Sequence, residues 1–324
     1  MKRFWWGITY ALVAALLFGA SIPFTKLLLD GVDPWLMAGL LYLGAGIGLA
    51  VLQFGQRLSV FRQSGVALRR PDLPWLAAAV MAGGITAPAL LMLGLARLDA
   101  ASASLLLNLE GIDAMVIAWV IFREKADRRT VVGALAIVAG AAVLSWPKDN
   151  VALNMGAVLI AGACLAWAID NNVTRKISAS DANQITVIRG LVAGVANTGF
   201  PLLLGASLPP PRIIAEALII GFLAYGVASA LIVLGLRYLG AARMAAYFST
   251  ASFVGAAFAV LILGEPVSAT LIAGGLLMAA GIWTHASEKR QRPTRHENLI
   301  GGESARANMR GQGNPEATTR PANH

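Results

Sequence analysis

Charged residues are scarce in this chain, and cysteine and histidine are almost absent. Asp, Glu, Lys and Arg make up only 13% of the 324 residues, whereas 57% are hydrophobic and the mean hydropathy is +0.67. This composition excludes an ordinary soluble domain and predicts a protein that crosses a membrane several times. The single Cys164 allows neither a disulfide framework nor a thiolate metal site, and it is predicted to be a small buried hydrophobic residue.

Several classes of chemistry lack the residues they need. The histidines, His285, His296 and His324, all lie at or beyond the end of the last apolar segment, so none can act as an intramembrane ligand or base. The absence of GxxxxGK[ST], HExxH and GxSxG argues against ATP hydrolysis, zinc-dependent proteolysis and serine hydrolysis. No enzymatic activity, cofactor or metal site is predicted, although an acid-pair membrane enzyme and a non-transporting scaffold stay as minor alternatives. The net charge of +9 is spread over short loops, so nucleic-acid binding is not expected.

Ten apolar segments, bounded by charged residues, proline and glycine, are long enough to cross a bilayer. The first five are 5–29, 35–54, 73–95, 100–121 and 130–146, and the second five are 151–174, 183–204, 213–236, 241–263 and 268–286. The segment 287–324 is polar and rich in glycine and charge. It is predicted to be a disordered cytoplasmic tail, or to bind anionic lipid headgroups weakly.

Lys and Arg are unequally distributed between alternate loops, which predicts the orientation of the chain. Four fall on one side of the membrane: Lys26, Arg97, Lys148 and Arg212. Fourteen fall on the other side: Lys2, Arg3, Arg57, Arg62, Arg69, Arg70, Arg123, Lys125, Arg128, Arg129, Arg175, Lys176, Arg237 and Arg243. Both termini are therefore expected to be cytoplasmic, in a multi-pass protein of the cytoplasmic (inner) membrane.

The two halves of the chain repeat each other. At an offset of 149, Gly7 aligns with Gly156 and Lys26 with Arg175; at an offset of 141, Gly94 aligns with Gly235 and Glu124 with Glu265. Each half contains five spans, and because five is odd the halves insert with opposite orientations. The predicted fold is an all-α integral membrane protein of ten transmembrane helices in two inverted five-helix repeats. The repeats cover 5–146 and 151–286, and the repetition also argues that the first span is not a cleaved signal peptide.

Two acids, Glu110 and Asp113, lie near the middle of the fourth predicted span. Each costs about 2.5–3.5 kcal/mol at that depth on insertion scales, so both are expected to face a partner or a water-filled cavity. Their i, i+3 spacing places them on one face of a helix, where two negative charges together are unfavourable. They either form polar contacts between helices or bind a proton or a cationic substrate.

Other polar residues within the spans extend this candidate site. Asp170 and Asn171 follow Trp167 in the sixth span, and Arg189 lies in the seventh. Arg189 is permanently charged, so it either forms a structural ion pair with an acid or binds a substrate carboxylate while Glu110 or Asp170 binds an amine. If protein acids neutralise Arg189, the remaining acids favour a cationic substrate.

Aromatic side chains and prolines complete the set of candidate residues. Trp167, Tyr225 and Tyr247 are candidate lining residues of the same cavity, although packing roles are open for all three. Pro23 and Pro88 each remove a helical hydrogen bond and are either static kinks or hinges.

The duplicated five-span unit resembles the EamA family of the drug/metabolite transporter superfamily. The resemblance rests on the ends of the fourth and ninth spans, Phe-Arg-Glu-Lys at 122–125 and Leu-Gly-Glu-Pro at 263–266, each before a glycine-rich span. The first copy departs from the usual Gly-Glu-Arg or Gly-Glu-Pro. Glu124 and Glu265 in these signatures are interpreted as structural, because a helix N-terminus favours negative charge.

The resemblance implies a secondary transporter. The sequence predicts export of a small metabolite or amino-acid-like solute by alternating access, with protons as the candidate coupling ion at Glu110. An exporter of lipophilic cations or drugs that uses the intramembrane acids is the alternative. The expected partners are the substrate, protons and the lipid bilayer. A homodimer is left open, because Gly44 and Gly48 permit close packing within or between chains.

Overall fold

The structure is a computed structural model that describes residues 2–54, 68–122, 128–146, 154–177 and 182–286. The predicted tail at 287–324 and Glu124 lie outside the described residues. All regular structure within the described ranges is helical. The helices are Lys2–Leu28, Pro34–Phe54, Leu73–Ala79, Ala87–Leu95, Ala100–Leu106, Leu109–Phe122, Arg128–Ser145, Met155–Thr174, Ala182–Leu203, Pro211–Gly221, Ala228–Leu239, Ala241–Phe248, Thr250–Leu263 and Ala269–Ala286. Two 3-10 turns, Arg70–Asp72 and Arg175–Ile177, and two π-helical segments, Val80–Thr86 and Phe222–Val227, join some of them.

These helices form the ten predicted spans. Nine stretches of the described chain are long and apolar enough to cross a membrane, and Ala269–Thr284 is a shorter apolar helix at the tenth position. The sixth span begins at Met155 rather than at 151, because the Asn154 side chain caps it by accepting hydrogen bonds from the backbone N–H groups of Gly156 and Ala157. The predicted all-α, ten-span architecture is confirmed.

Interruptions within the spans repeat between the two halves. The π-helical segment Val80–Thr86 interrupts the third span, and Phe222–Val227 interrupts the eighth at the matching position. The fourth span breaks at Leu107 and Asn108, and the ninth breaks at Ser249. The repeat is therefore structural, since it extends to local departures from α-helical geometry.

The packing of the spans follows the same two-fold relation. The second span packs on the seventh and the fifth packs on the tenth, so each of these pairs joins equivalent spans of the two repeats. The first span packs on the eighth and ninth, just as the sixth packs on the third and fourth. The repeats thus interlock along their whole length, as an inverted repeat requires if its site lies between the halves.

Glycines allow the closest of these contacts. A Cβ on Gly140 would lie 2.8 Å from the Gly274 carbonyl oxygen, and one on Gly281 would lie 2.6 Å from that of Gly133. Gly44 and Gly48 pack in the same way against Leu218 and Phe222 of the eighth span. These last two glycines therefore serve packing within the chain, and the homodimer stays a prediction.

Candidate substrate and proton site

The third span exposes two backbone carbonyls inside the bundle. Pro88 has no N–H, so the carbonyl of Gly84 lacks its α-helical donor. In the π-helical segment the N–H of Ala87 donates to Ala82, so it does not donate to Gly83 either. Free carbonyls in a membrane interior need other donors, because no bulk water is available there.

Side chains from three other spans supply these donors. Tyr42 Oη of the second span donates to the Gly83 oxygen at 2.7 Å, and Trp167 Nε1 of the sixth donates to the same oxygen at 3.1 Å. Asn197 Nδ2 of the seventh span donates to the Gly84 oxygen at 3.0 Å and is fully buried. The interrupted segment of the third span is therefore the point at which spans of both repeats converge.

Asp170 lies beside this segment and pairs with Arg189. The Arg189 guanidinium donates to Asp170 Oδ2, and Thr174 Oγ1 donates to Oδ1 at 3.0 Å. Asp170 is only 1% exposed, so its charge needs this partner. The close approach depends on Gly83, because a Cβ there would lie 2.0 Å from Asp170 Oδ2. The structural ion pair predicted as one alternative for Arg189 is present.

Glu110 and Asn171 form a second polar pair next to the first. Asn171 Nδ2 donates to Glu110 Oε1 at 2.8 Å. Glu110 also interacts electrostatically with Asp170, Arg189 and Asp113. Glu110 and Asp113 are both partly exposed. No hydrogen bond or ion pair of the Asp113 side chain occurs within the described part of the chain.

Glu110 owes its position to the break in the fourth span. It lies in the first turn of Leu109–Phe122, directly after the interruption at Leu107 and Asn108. Asn108 Nδ2 donates to the Leu105 oxygen at 2.9 Å, and the buried Cys164 thiol lies 3.7 Å from the Leu106 oxygen. The predicted burial of Cys164 is confirmed, and its thiol also provides a weak donor to the backbone at the break.

The two candidate tyrosines have different surroundings. The Tyr225 ring lies 5.4 Å from that of Tyr42, between centroids, and 5.7 Å from that of Phe18. It therefore lines the cluster around Gly83. Tyr247 instead packs with Ala11, Leu239 and Met244, in a separate hydrophobic cluster between the first, eighth and ninth spans. Within the described residues, Tyr247 packs in this apolar cluster rather than against Asp170 or Arg189.

Glu265 contacts a different span from the one its sequence position indicated. Its carboxylate accepts hydrogen bonds from the backbone N–H groups of Ala100 at 2.6 Å and Ala101 at 2.8 Å, at the start of the fourth span. These contacts agree with the structural interpretation of Glu265, but the helix N-terminus that it caps is that of the fourth span rather than that of the tenth. Ser268 has that position at the tenth span, because its Oγ accepts from the N–H of Leu271 at 3.1 Å. Glu265 is thus a contact between the two repeats.

Four residues of the cluster were not among the sequence candidates: Tyr42, Gly83, Thr174 and Asn197. The one available signal was the sequence Gly83-Gly84 shortly before Pro88, which combines two small residues with a missing helical N–H. A single tyrosine or asparagine in an apolar span gives no comparable signal, because such residues often serve packing alone.

Interlocked helical repeats with a cluster of ionisable residues between them define a membrane transporter that binds a small molecule. Within the described chain, no three His, Cys, Asp or Glu side chains are placed to hold a metal ion. The family can also be stated. The chain belongs to the EamA-like transporter family, whose profile matches residues 5–146 and 154–285.

One sequence relative agrees with this assignment, and one solved structure shares the fold. An uncharacterized transporter of Methanothermobacter thermautotrophicus is 28% identical over 298 residues, covering 87% of this chain and 86% of that protein. One protein crystal structure superposes with a TM-score of 0.63 at 16% identity, over 86% of this chain and 95% of the other. The second likeness concerns the fold alone.

Proposed function

We propose that this transporter exports a small metabolite carrying an amine across the cytoplasmic membrane, in exchange for protons, by alternating access. The pairing of Arg189 with Asp170 is the observation that supports an amine as the substrate class. This pair neutralises the one basic side chain of the cluster and leaves Glu110 and Asp113, neither of which forms an ion pair within the described residues. A site with uncompensated negative charge in a low dielectric favours a cation.

The asymmetry of the cluster supports a binding role. At the offset of 149, Ser21 takes the place of Asp170 and Leu40 that of Arg189, and at the offset of 141 Ala251 takes the place of Glu110. In each case the equivalent helix of the other repeat therefore folds without the charged group. Packing alone does not require these charges, so they are the feature of the duplicated bundle that needs a functional explanation.

Glu110 is the proposed site of exchange between proton and amine. Its carboxylate receives one hydrogen bond from Asn171, and it is only partly buried at the break of the fourth span. A proton and a substrate ammonium would bind the same oxygens and exclude each other. Such competition at one carboxylate is sufficient to couple outward movement of the amine to inward movement of protons.

A zwitterionic, amino-acid-like substrate is a second candidate, and the exposure of Arg189 favours it. The Arg189 side chain keeps 26% of its surface accessible although Asp170 binds its NH1 group. An arginine has five N–H donors, so those left over can reach a substrate carboxylate while Glu110 binds the amine. The alternative of a lipophilic-cation exporter uses the same acids and differs in requiring no donor from Arg189.

The orientation proposed for this cycle follows from the loop charges, with both termini on the cytoplasmic side. In that orientation the fourth span begins at the outer face, and Asp170 lies closer to the inner end of its span. The acids are then accessible from the cytoplasm, where an exporter loads its substrate.

The test is transport by purified protein in liposomes with a pH-sensitive dye inside. Wild type, Glu110→Gln and the control Glu216→Gln would be assayed with a panel of amino acids, polyamines and lipophilic cations. Glu216 forms an exposed i, i+4 ion pair with Arg212, so its variant removes an acid far from the cluster. We expect amine flux with opposite proton flux in wild type and control, and loss of proton flux in Glu110→Gln. Full proton-coupled transport by Glu110→Gln would refute the proposal, and amino-acid flux without polyamine or cation flux would favour the zwitterion.

A further inference from the structure

The turn between the third and fourth spans is held from both sides by opposite charges. Lys26 Nζ donates to the Leu95 oxygen at 2.5 Å and to the Leu98 oxygen at 2.9 Å, where the third span ends. Glu265 accepts from the N–H groups of Ala100 and Ala101, where the fourth span begins. All four hydrogen bonds involve a charged partner, and such bonds are roughly twice as strong as neutral ones.

These contacts connect the two repeats at one end of the bundle. Lys26 ends the first span, whereas Glu265 belongs to the turn between the ninth and tenth spans, in the second repeat. Lys26 also interacts electrostatically with Glu265 and with Asp99 of the held turn. The first, third, fourth and ninth spans are thus held together at this end by one connected set of charges.

The residues at and beside these contacts are tightly packed. Leu91, Met92 and Leu95 of the third span are 0% exposed, and Ala100 and Ala101 of the fourth are at most 1% exposed. The surroundings of Glu110 are more open: Gly111 and Asn171 are exposed. The spans are therefore packed more tightly toward the end that carries Lys26 and Glu265 than they are around Glu110.

We infer that Lys26 and Glu265 form a gate, whose hydrogen bonds to the 96–99 turn must break for the substrate to pass this end. This inference rests on the alternating-access part of the proposed function and does not depend on the substrate or the coupling ion. An apolar layer alone would close the path equally well, but it would resist opening only through packing. Charge-assisted bonds to a backbone turn give the closed state a defined register and can be exchanged for water when the spans separate.

The chain is suited to a labelling test, because its one cysteine, Cys164, is 0% exposed. The reporter Ala101→Cys would lie at the gate itself, because Glu265 accepts from the backbone N–H of residue 101. The full chain in lipid nanodiscs, where both faces are reachable, would be treated with a membrane-impermeant methanethiosulfonate. We expect Ala101→Cys to be labelled slowly in the otherwise wild-type chain. Labelling should be about 10- to 100-fold faster when Glu265→Gln or Lys26→Gln is added, because each substitution removes charged hydrogen bonds.

Two controls separate a gate from general loosening. Ala79→Cys places a reporter at another fully buried site of the third span, away from the gate, and its labelling should stay slow in both variants. Glu216→Gln should leave both reporters unchanged. If Glu265→Gln folds poorly, Glu265→Asp and Lys26→Gln still test the gate, and the aspartate should label at a rate between those of wild type and glutamine.

The outcomes distinguish this inference from the proposed function. Wild-type labelling rates at Ala101→Cys in both gate variants would overturn the gate, and so would an equal increase at Ala79→Cys. Neither result depends on transport, so a gate that opens as expected would stand even if amine flux were not found.

Discussion

Replacing Gly83 with alanine tests whether the ion pair of the cluster depends on the missing side chain at this position. A Cβ at Gly83 would lie 2.0 Å from Asp170 Oδ2 and 2.6 Å from Asp170 Cβ. Rotation of the Asp170 side chain relieves the first contact. It cannot relieve the second, since Cβ is fixed to the backbone. The third and sixth spans would have to separate by roughly 1 Å to restore ordinary contact distances.

The expected cost combines two effects. Overpacking of a well-packed interior costs about 1–3 kcal/mol, and disrupting a buried ion pair brings the total to about 3–5 kcal/mol of the free energy of unfolding. The matched control is Gly111→Ala, in the neighbouring fourth span. A Cβ at Gly111 meets nothing within 4 Å, so alanine there should stabilise the helix by about 0.5–1 kcal/mol.

The assay is thermal unfolding of both purified variants and of wild type in the same detergent, monitored through the loss of helical structure. Gly83→Ala should unfold at a clearly lower temperature than wild type, and Gly111→Ala at the same or a slightly higher one. If Gly83→Ala unfolds like Gly111→Ala, the close approach of Gly83 to Asp170 does not stabilise the bundle, and the reasoning fails.

Three further substitutions test other parts of the structure. Asp170→Asn should destabilise the protein by about 3–5 kcal/mol because it leaves Arg189 without its counter-charge. The double variant Asp170→Asn with Arg189→Leu should unfold near the wild-type temperature but transport poorly. Equal unfolding temperatures for the single and double variants would refute the structural pair. Pro88→Ala restores an N–H that can bond to the Gly84 carbonyl, so this variant should raise the unfolding temperature. If Pro88 is a hinge, the variant should also slow transport severalfold in liposomes. Unchanged transport rates would mean that Pro88 is only a static kink. Gly140→Ala should destabilise by about 1–3 kcal/mol because its Cβ would meet the Gly274 backbone, whereas Gly275→Ala, whose nearest contact is 3.5 Å, should be near neutral in the same assay.

The two repeats differ at their π-helical interruptions. Both repeats contain a π-helical interruption, yet only the first has Gly83-Gly84 and Pro88. In the second, Ser229 stands in the place of Pro88 and donates from its Oγ to the Tyr225 oxygen of its own span. The released carbonyls of the first repeat are satisfied by other spans, so that half of the bundle carries the cross-span polar network.

The number of spans, their approximate limits and the duplication could be predicted from the amino-acid sequence alone. These properties are local, because an apolar run of sufficient length must cross the bilayer as a helix whatever surrounds it. The sequence also identified Glu110, Asp113, Asp170 and Arg189, since any charge within such a run is costly and needs an explanation.

Which of these groups are in contact could be read only from the packed helices. The register between helices depends on side-chain packing across spans far apart in sequence, and hydrophobicity does not specify it. The pairing of Arg189 with Asp170, the contact of Gly83 with that pair and the separation of Tyr247 from it all follow from this packing. For the same reason Glu265, which lies directly before the tenth span, supports the fourth span of the opposite repeat.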